Sequence, residues 1–183
     1  VRLDTFHENI WYHEVNVSDY PLFDYQPYEL VLASKLVDVV KYAKLDLLHV
    51  HYAIPHASAA YMAQQILKTE GINIPFITTL HGTDITLVGK DASFEPVITF
   101  AINQSNAVTA VSESLKKDTL DHFKINRSIE AIPNFICIDG CETPEIDSEL
   151  HRNIAPNGEK ILAHVSNFRP VKRVCDVVKI FAK

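Results

Sequence analysis

The spacing of apolar residues along this chain changes repeatedly between two periods, one typical of strands and one typical of helices. Residues 11–17 alternate with a period of two. By contrast, Leu30, Ala33 and Val37 recur at helical spacing and predict an amphipathic helix over residues 28–43. Taken along the whole chain, the alternation predicts strands at residues 11–17, 45–51, 75–80, 107–111, 129–132 and 160–165.

Helices are predicted between these strands. One begins near Pro55 and runs to Lys68, and a last one covers residues 171–183. Ser93 and Ser112 are predicted N-caps of two more, since serine hydroxyls accept bonds from free helical amides. Strands that alternate with helices of this length indicate an α/β fold. We expect a Rossmann-like parallel sheet with helices on both faces.

The alternation stops at residues 137–158, which are polar and contain two prolines and two glycines. This segment is predicted to be an interdomain linker. Residues 1–136 would then form a first Rossmann-like domain, incomplete at its start, and residues 159–183 the first βα unit of a second. One such unit cannot bury a core by itself, so we expect the chain to be a fragment of a two-domain protein.

Charge and composition exclude some function classes. The 183 residues carry a formal net charge of −6, which disfavours binding to nucleic acid or to an anionic membrane. No apolar run approaches the ~20 residues that span a bilayer. The three cysteines and the absence of a basic, then apolar leader pattern predict a cytoplasmic location. The C-x3-C pair Cys137 and Cys141 has no second Cys/His pair nearby, so we expect loop thiols there.

The carboxyl ends of the predicted strands carry polar side chains, and ligands of open parallel sheets bind at those ends. His81 follows an apolar strand directly, and Gly82 allows a sharp turn. Thr83 and Asp84 can bond nearby amides and hold that turn. A lone histidine is often a buried structural residue, but this position favours a functional role for His81.

Other strand ends offer further candidates. Tyr52, Thr79 and Asn134 could bond a small polar acid. His49 and His51 lie two apart on a strand and share a face; they could be metal ligands, but we expect a buried, hydrogen-bonded pair. His56 lies in a first helical turn, where an anion or solvent would be equally suitable.

Arg169, Lys172 and Arg173 cluster between the strand predicted at residues 160–165 and the last helix. Cations beside a helix N-terminus add to its partial positive charge. The alternative is an ordinary solvated helix start. Because three cations occur together at a strand-to-helix turn, the cluster favours binding of a diphosphate.

Several segments together resemble successive blocks of the family 4 retaining glycosyltransferases: DLLHVHYAIPHASAAYMA, ITTLHGTDITLVG, AVTAVSESL, IPNFI and HVSNFRPVKRVCDVV. They follow the family order and cover about residues 10–183. HGTD is widespread in the family. HVHYAIPH, TLHGTDIT and SNFRPVKR are narrower and resemble the malate-glycosylating branch of the bacillithiol pathway.

The resemblance implies a GT-B fold of two Rossmann-like domains, and transfer of N-acetylglucosamine from UDP-N-acetylglucosamine to L-malate. It implies retention at the anomeric carbon, without a metal or another cofactor. The family's HGTD histidine matches His81, which implies contact with the transferred sugar. The family's diphosphate-binding cations match Lys172 and either Arg169 or Arg173, because Asn167 stands where many members have an arginine.

The resemblance also implies that a glycine-rich loop precedes Val1 and that a ribose-binding carboxylate motif follows Lys183. We therefore expect no transferase activity from these 183 residues alone. Three alternatives stay open: a family 4 enzyme with another small hydroxyl acceptor, a non-catalytic nucleotide-sugar-binding module, and a metal-dependent hydrolase using His49, His51 and His81. The sequence leaves oligomeric state, including a homo-oligomer, undecided.

Overall fold

The structure is a computed structural model that describes residues 9–17, 26–87, 91–136 and 148–183. The chain divides into two compact units, Val1–Phe135 and Ile136–Lys183, and each is described by itself. Cys137 and Cys141 lie outside the described residues. The same holds for most of the predicted linker up to residue 147.

The first unit contains a parallel sheet of four strands, in the order β1-β2-β3-β4. The strands are β1 at Leu48–His51, β2 at Phe76–Leu80, β3 at Ala107–Ala110 and β4 at Ile129–Ala131. Every neighbouring pair is parallel. The predicted α/β class is therefore confirmed, although the strands are shorter than their apolar runs.

The described residues of this unit include four α-helices. They are α1 at Tyr28–Ala43, α2 at Ser58–Thr69, α3 at Glu95–Gln104 and α4 at Glu113–His122. Short turns at Ala53–Ala57 and Thr83–Leu87 follow β1 and β2 and carry the chain across the carboxyl edge of the sheet. The helices predicted over residues 28–43, from Pro55 to Lys68 and after Ser112 are thus confirmed.

One face of the sheet supplies the strand side chains of the core. Leu48, Val50 and Phe76 pack with α1, α2 and α3, and Leu80 and Val108 pack with α3 and α4. The register places these residues on a common face, because parallel partners project to the same side. The helices are therefore anchored on this face by buried apolar side chains.

The opposite face carries polar side chains. Thr79 is buried on that face, whereas His49 and His51 are exposed and Thr109 is half-buried. This corrects the prediction that His49 and His51 form a buried pair. They share a face as expected, but it is the face without the apolar core.

Two predicted strands are not formed. Residues 11–17 and 160–165 have no regular secondary structure and are largely exposed. An alternating pattern becomes a strand only when a neighbouring strand completes its backbone hydrogen bonds. In the described part of the chain, β1 pairs only with β2 and β4 only with β3, so neither segment has a partner.

The predicted caps have opposite outcomes. The Ser112 hydroxyl accepts a 3.1 Å bond from the Leu115 amide, which confirms it as the N-cap of α4. Ser93 is not the N-cap of α3, because that helix starts after Phe94. Instead, the Ser93 amide and hydroxyl both donate to the Asp91 carboxylate, at 2.9 and 2.7 Å. The Ser93 hydroxyl is therefore bonded to Asp91 and does not cap α3.

The second unit contains helix α5 at Ser148–Ile154, a 3-10 turn at Pro170–Lys172 and helix α6 at Val174–Phe181. Helix α5 lies within the segment predicted to be a linker without periodicity. The last helix is confirmed, but it starts three residues after the predicted position, because Arg173 at φ 51° separates it from the 3-10 turn.

Candidate functional site

The turn after β2 brings His81 to the carboxyl edge of the sheet. Gly82 follows at φ +108°, a left-handed conformation that a residue with a Cβ atom adopts only with strain. The buried Asp84 carboxylate accepts from the Gly82 amide at 3.1 Å and from the Ala53 amide at 2.8 Å. Asp84 therefore ties the turn after β2 to the turn after β1. The predicted role of this residue in holding the turn agrees with these bonds.

His81 lies against His51 from the neighbouring strand. The His81 Nε2 and His51 Nδ1 atoms are 2.7 Å apart, a hydrogen-bond distance. The two rings have centroids 5.0 Å apart, and the Tyr52 ring lies at the same distance from His81 on another side. The half-buried imidazole of His81 is thus held by two aromatic neighbours at the edge where ligands of parallel sheets bind.

A second hydrogen-bonded row crosses the polar face of the sheet. His49 Nε2 lies 2.8 Å from the Thr79 hydroxyl, which in turn lies 2.7 Å from the Thr109 hydroxyl. The His49 and His51 rings stack with centroids 5.0 Å apart. Two of the three hydrogen-bonding positions of the Thr79 hydroxyl are therefore occupied within the sheet.

Tyr52 and His56 surround the end of β1. Tyr52 has φ 77°, and its amide donates to the Thr79 carbonyl at 2.8 Å. His56 Nδ1 lies 2.5 Å from the carbonyl oxygen of His51, so Nδ1 is the protonated nitrogen that donates. These bonds fix the backbone that carries His51 and set Tyr52 beside His81.

The pKa of His51 is lowered from its ordinary value. The largest cause is partial burial, which penalises the charged ring, and repulsion from His81, His49 and His56 adds to it. The neutral form of the His51 ring is therefore favoured.

Asn134 lies apart from this cluster in the described contacts. It is exposed in the irregular segment that follows β4, whereas His81 follows β2, two strands away in the sheet. Of the three residues predicted to bind an acceptor, Tyr52 contacts the His81 ring directly. Thr79 belongs to the hydrogen-bonded row that it forms with His49 and Thr109.

The comparison with known families decides the membership of this chain. Residues 2–139, about three quarters of the sequence, match the family described as Glycosyltransferase Family 4. The chain belongs to glycosyltransferase family 4. Domains of this family have the GT-B type of fold, so the predicted fold type is confirmed.

Individual relatives support the same membership. The chain is 48% identical over 182 residues to N-acetyl-alpha-D-glucosaminyl L-malate synthase of Bacillus anthracis, covering 100% of this chain and 47% of that protein. It is 28% identical over 92 residues to an uncharacterised glycosyltransferase of Methanocaldococcus jannaschii, covering 50% of this chain and 24% of the relative. The chain therefore spans about half the length, or less, of these curated relatives.

The predicted diphosphate-binding residues of this glycosyltransferase chain lie in the second unit. Arg169 precedes the 3-10 turn, Lys172 ends it, and Arg173 links it to α6. All three are exposed. The Arg173 Nε atom bonds the Asp176 carboxylate at 2.6 Å, so part of that guanidinium is already engaged. The local structure thus leaves Arg169 and Lys172 less engaged than Arg173 in the contacts seen.

The described residues also bear on whether the chain could hold a metal ion or span a membrane. Within the described ranges, no group of three or more His, Cys, Asp or Glu side chains is arranged to hold a metal ion. His51 and His81 instead direct ring nitrogens at each other. The helices that the structure describes include none that is long and apolar enough to cross a bilayer.

The contact between His51 and His81 was missed by the sequence analysis. The sequence does contain a signal for this contact, because His51 ends one predicted strand and His81 follows the next. Finding it requires the knowledge that β1 and β2 are neighbours and that His51 pairs with Thr79, two residues before His81. Register between strands cannot be read from periodicity alone.

Proposed function

We propose that the protein containing this chain is a retaining glycosyltransferase that transfers N-acetylglucosamine from UDP-N-acetylglucosamine to L-malate. The carrying observation is His81, an imidazole fixed at the carboxyl edge of a parallel sheet by His51, Tyr52 and the Asp84-held turn. Family membership supports the reaction class. The name of the Bacillus anthracis relative supports the acceptor.

In this proposal His81 orients the donor sugar and stabilises the positive charge that develops at its anomeric carbon. The acceptor hydroxyl oxygen bonds to that carbon on the face from which the diphosphate oxygen leaves, and the hydroxyl proton passes to the departing diphosphate. Retention follows because the new and the old bond share one face. A pre-positioned dipole is effective here because it needs no reorganisation as charge builds up.

Lys172 and Arg169 are proposed to bind the donor diphosphate, with Arg173 as the alternative to Arg169. Charge-assisted bonds to a leaving diphosphate strengthen as negative charge accumulates on it. The engagement of Arg173 with Asp176 favours Arg169 as the second cation. Tyr52, Thr79 and Asn134 are proposed to contact the acceptor.

The test is made on the full-length protein with UDP-N-acetylglucosamine and L-malate, with product mass followed over time. UDP-glucose and a panel of other small hydroxy acids serve as comparison substrates. We expect a glycosylated malate product and release of UDP. Preference for another acceptor would contradict the malate assignment, and UDP-sugar binding without turnover would establish the non-catalytic alternative.

The variant His81→Ala separates catalysis from folding. We expect a loss of about 100-fold in kcat, a typical scale for one positioned polar group, with little change in melting temperature. The half-buried ring fills no part of the apolar core, so its removal leaves no internal cavity. Retained activity with a collapsed melting temperature would make His81 a structural residue and remove the central support of the proposal.

A further inference from the structure

The 2.7 Å contact between His81 Nε2 and His51 Nδ1 constrains where protons lie in this site. Two imidazole nitrogens at this distance share one proton, because two N–H groups pointing at each other would clash and two lone pairs would repel. The protonation of one ring nitrogen therefore dictates that of the other.

We propose that His51 is a positioning residue for His81, accepting a hydrogen bond at Nδ1 from the Nε2–H group of His81. This leaves the Nδ1 atom of His81 as the nitrogen available to a bound sugar. The inference rests on the proposed function and deepens it, since it assigns the orientation and the tautomer of the central imidazole to a residue outside direct contact with substrate.

The direction of the bond follows from the surroundings of the two rings. His51 has three histidine neighbours, His49, His56 and His81, and its lowered pKa favours the neutral ring, which has a lone pair on one nitrogen. When His81 donates its Nε2–H to His51, its own Nδ1 atom keeps a lone pair. That electron-rich nitrogen suits the role proposed for His81, because it stabilises the positive charge that develops on the sugar. The reverse direction would place a proton on His81 Nδ1 and turn the positive end of the ring dipole toward that charge.

The location of His51 supports positioning over core packing. Its side chain is exposed on the polar face of the sheet, while the neighbouring Val50 points into the apolar core. The backbone of His51 is fixed independently, since its carbonyl accepts from His56 and its strand pairs with β2. Substitution of the His51 ring therefore leaves its own strand in place.

The kinetic test compares His51→Ala, His51→Gln and His51→Asn in the full-length protein. The amide of asparagine lies near the position of Nδ1, whereas that of glutamine lies near Nε2. We expect about tenfold lower kcat for the alanine and glutamine variants, the scale of losing an orienting partner, with KM for UDP-N-acetylglucosamine changed less than about threefold. Asparagine should recover most of the loss. His122→Ala is the control, because His122 is also exposed and bonds a carbonyl, that of Asp118, on α4.

A spectroscopic test does not depend on turnover. With 15N-histidine labelling, wild-type His81 should show a protonated Nε2 atom as a single tautomer, and His51→Ala should show a mixture of tautomers. If the wild-type protein transfers no sugar to malate, the proposed function fails while this experiment still tests the His51–His81 bond. Unchanged tautomer and unchanged kcat in His51→Ala, or rescue by glutamine instead of asparagine, would overturn the proposal.

Discussion

The two units of this chain differ in how their polar side chains are held. In the first unit, the residues around His81 are fixed by bonds to a sheet with a buried core: Asp84 to two amides, His51 to His81, and Thr79 to two side chains. In the second unit, residues 158–173 contain no strand, and no described residue after Ala155 is buried. A site becomes rigid where its side chains are attached to elements that already bury a core.

The difference has a consequence for mechanism. The imidazole cluster is organised within the first unit itself, whereas Arg169, Lys172 and Arg173 are organised by local turns and one ion pair with Asp176. Exposed ion pairs contribute little to order or stability, because solvent screens them and side-chain entropy opposes them. Substitutions in the two regions should therefore affect stability and catalysis to different extents.

The largest expected effect is on the sheet core. Phe76 is fully buried in β2, and Phe76→Ala removes a large side chain and leaves a cavity. We expect the free energy of unfolding of the 183-residue chain to fall by about 3–5 kcal/mol, measured by urea denaturation. Phe181→Ala on α6 is the matched control, since Phe181 is 61% exposed, and its effect should stay within about 0.5 kcal/mol. Equal losses in the two variants would show that the units are equally packed.

The next effect concerns the cations of the second unit. In the full-length protein, Lys172→Ala should lower the transfer rate about 100-fold, roughly 3 kcal/mol, through loss of a charge-assisted bond to the leaving diphosphate. Arg169→Ala should lose more activity than Arg173→Ala, because Asp176 already engages Arg173. Steady-state rates and UDP affinity check both statements. Unchanged turnover and UDP affinity in Lys172→Ala would contradict the assignment.

A smaller effect separates two serines that look alike in the sequence. Ser112→Ala removes the cap of α4 and should destabilise the first unit by about 1 kcal/mol in urea denaturation. Ser93→Ala should cost less, since Ser93 bonds Asp91 at an exposed position and does not cap α3. A larger loss of stability in Ser93→Ala than in Ser112→Ala would show that Ser93 does cap α3.

The smallest effect is the pH dependence contributed by His51. Its folded-state pKa lies below the ordinary value, so below about pH 6.5 the unfolded chain binds more protons at this residue than the folded chain. This contribution reduces stability as the pH falls and vanishes above that range, where the ring is neutral in both states. Melting temperatures from pH 8 to pH 5 should therefore fall less in His51→Asn than in the wild type. An equal slope would show that His51 titrates normally.

Periodicity and turn chemistry in the sequence determined the parallel α/β class, the four helices of the first unit and the position of His81 after a strand. These features depend on neighbours within a few residues, as with Ser112, whose hydroxyl meets an amide three residues later. The motifs in the sequence indicated the glycosyltransferase family in the same way, because each block is a local run of residues.

Only the tertiary structure decided which apolar runs become strands and which histidines meet. Residues 11–17 and 160–165 have the strand pattern, but a strand also needs a partner, and partners are set by contacts between distant segments. Likewise, the pairing of His51 with Thr79 brings the His51 ring against His81, thirty residues away. Side-chain alternation fixes which residues share a face, whereas strand order and register, set by the packing of the core, decide what each face contacts.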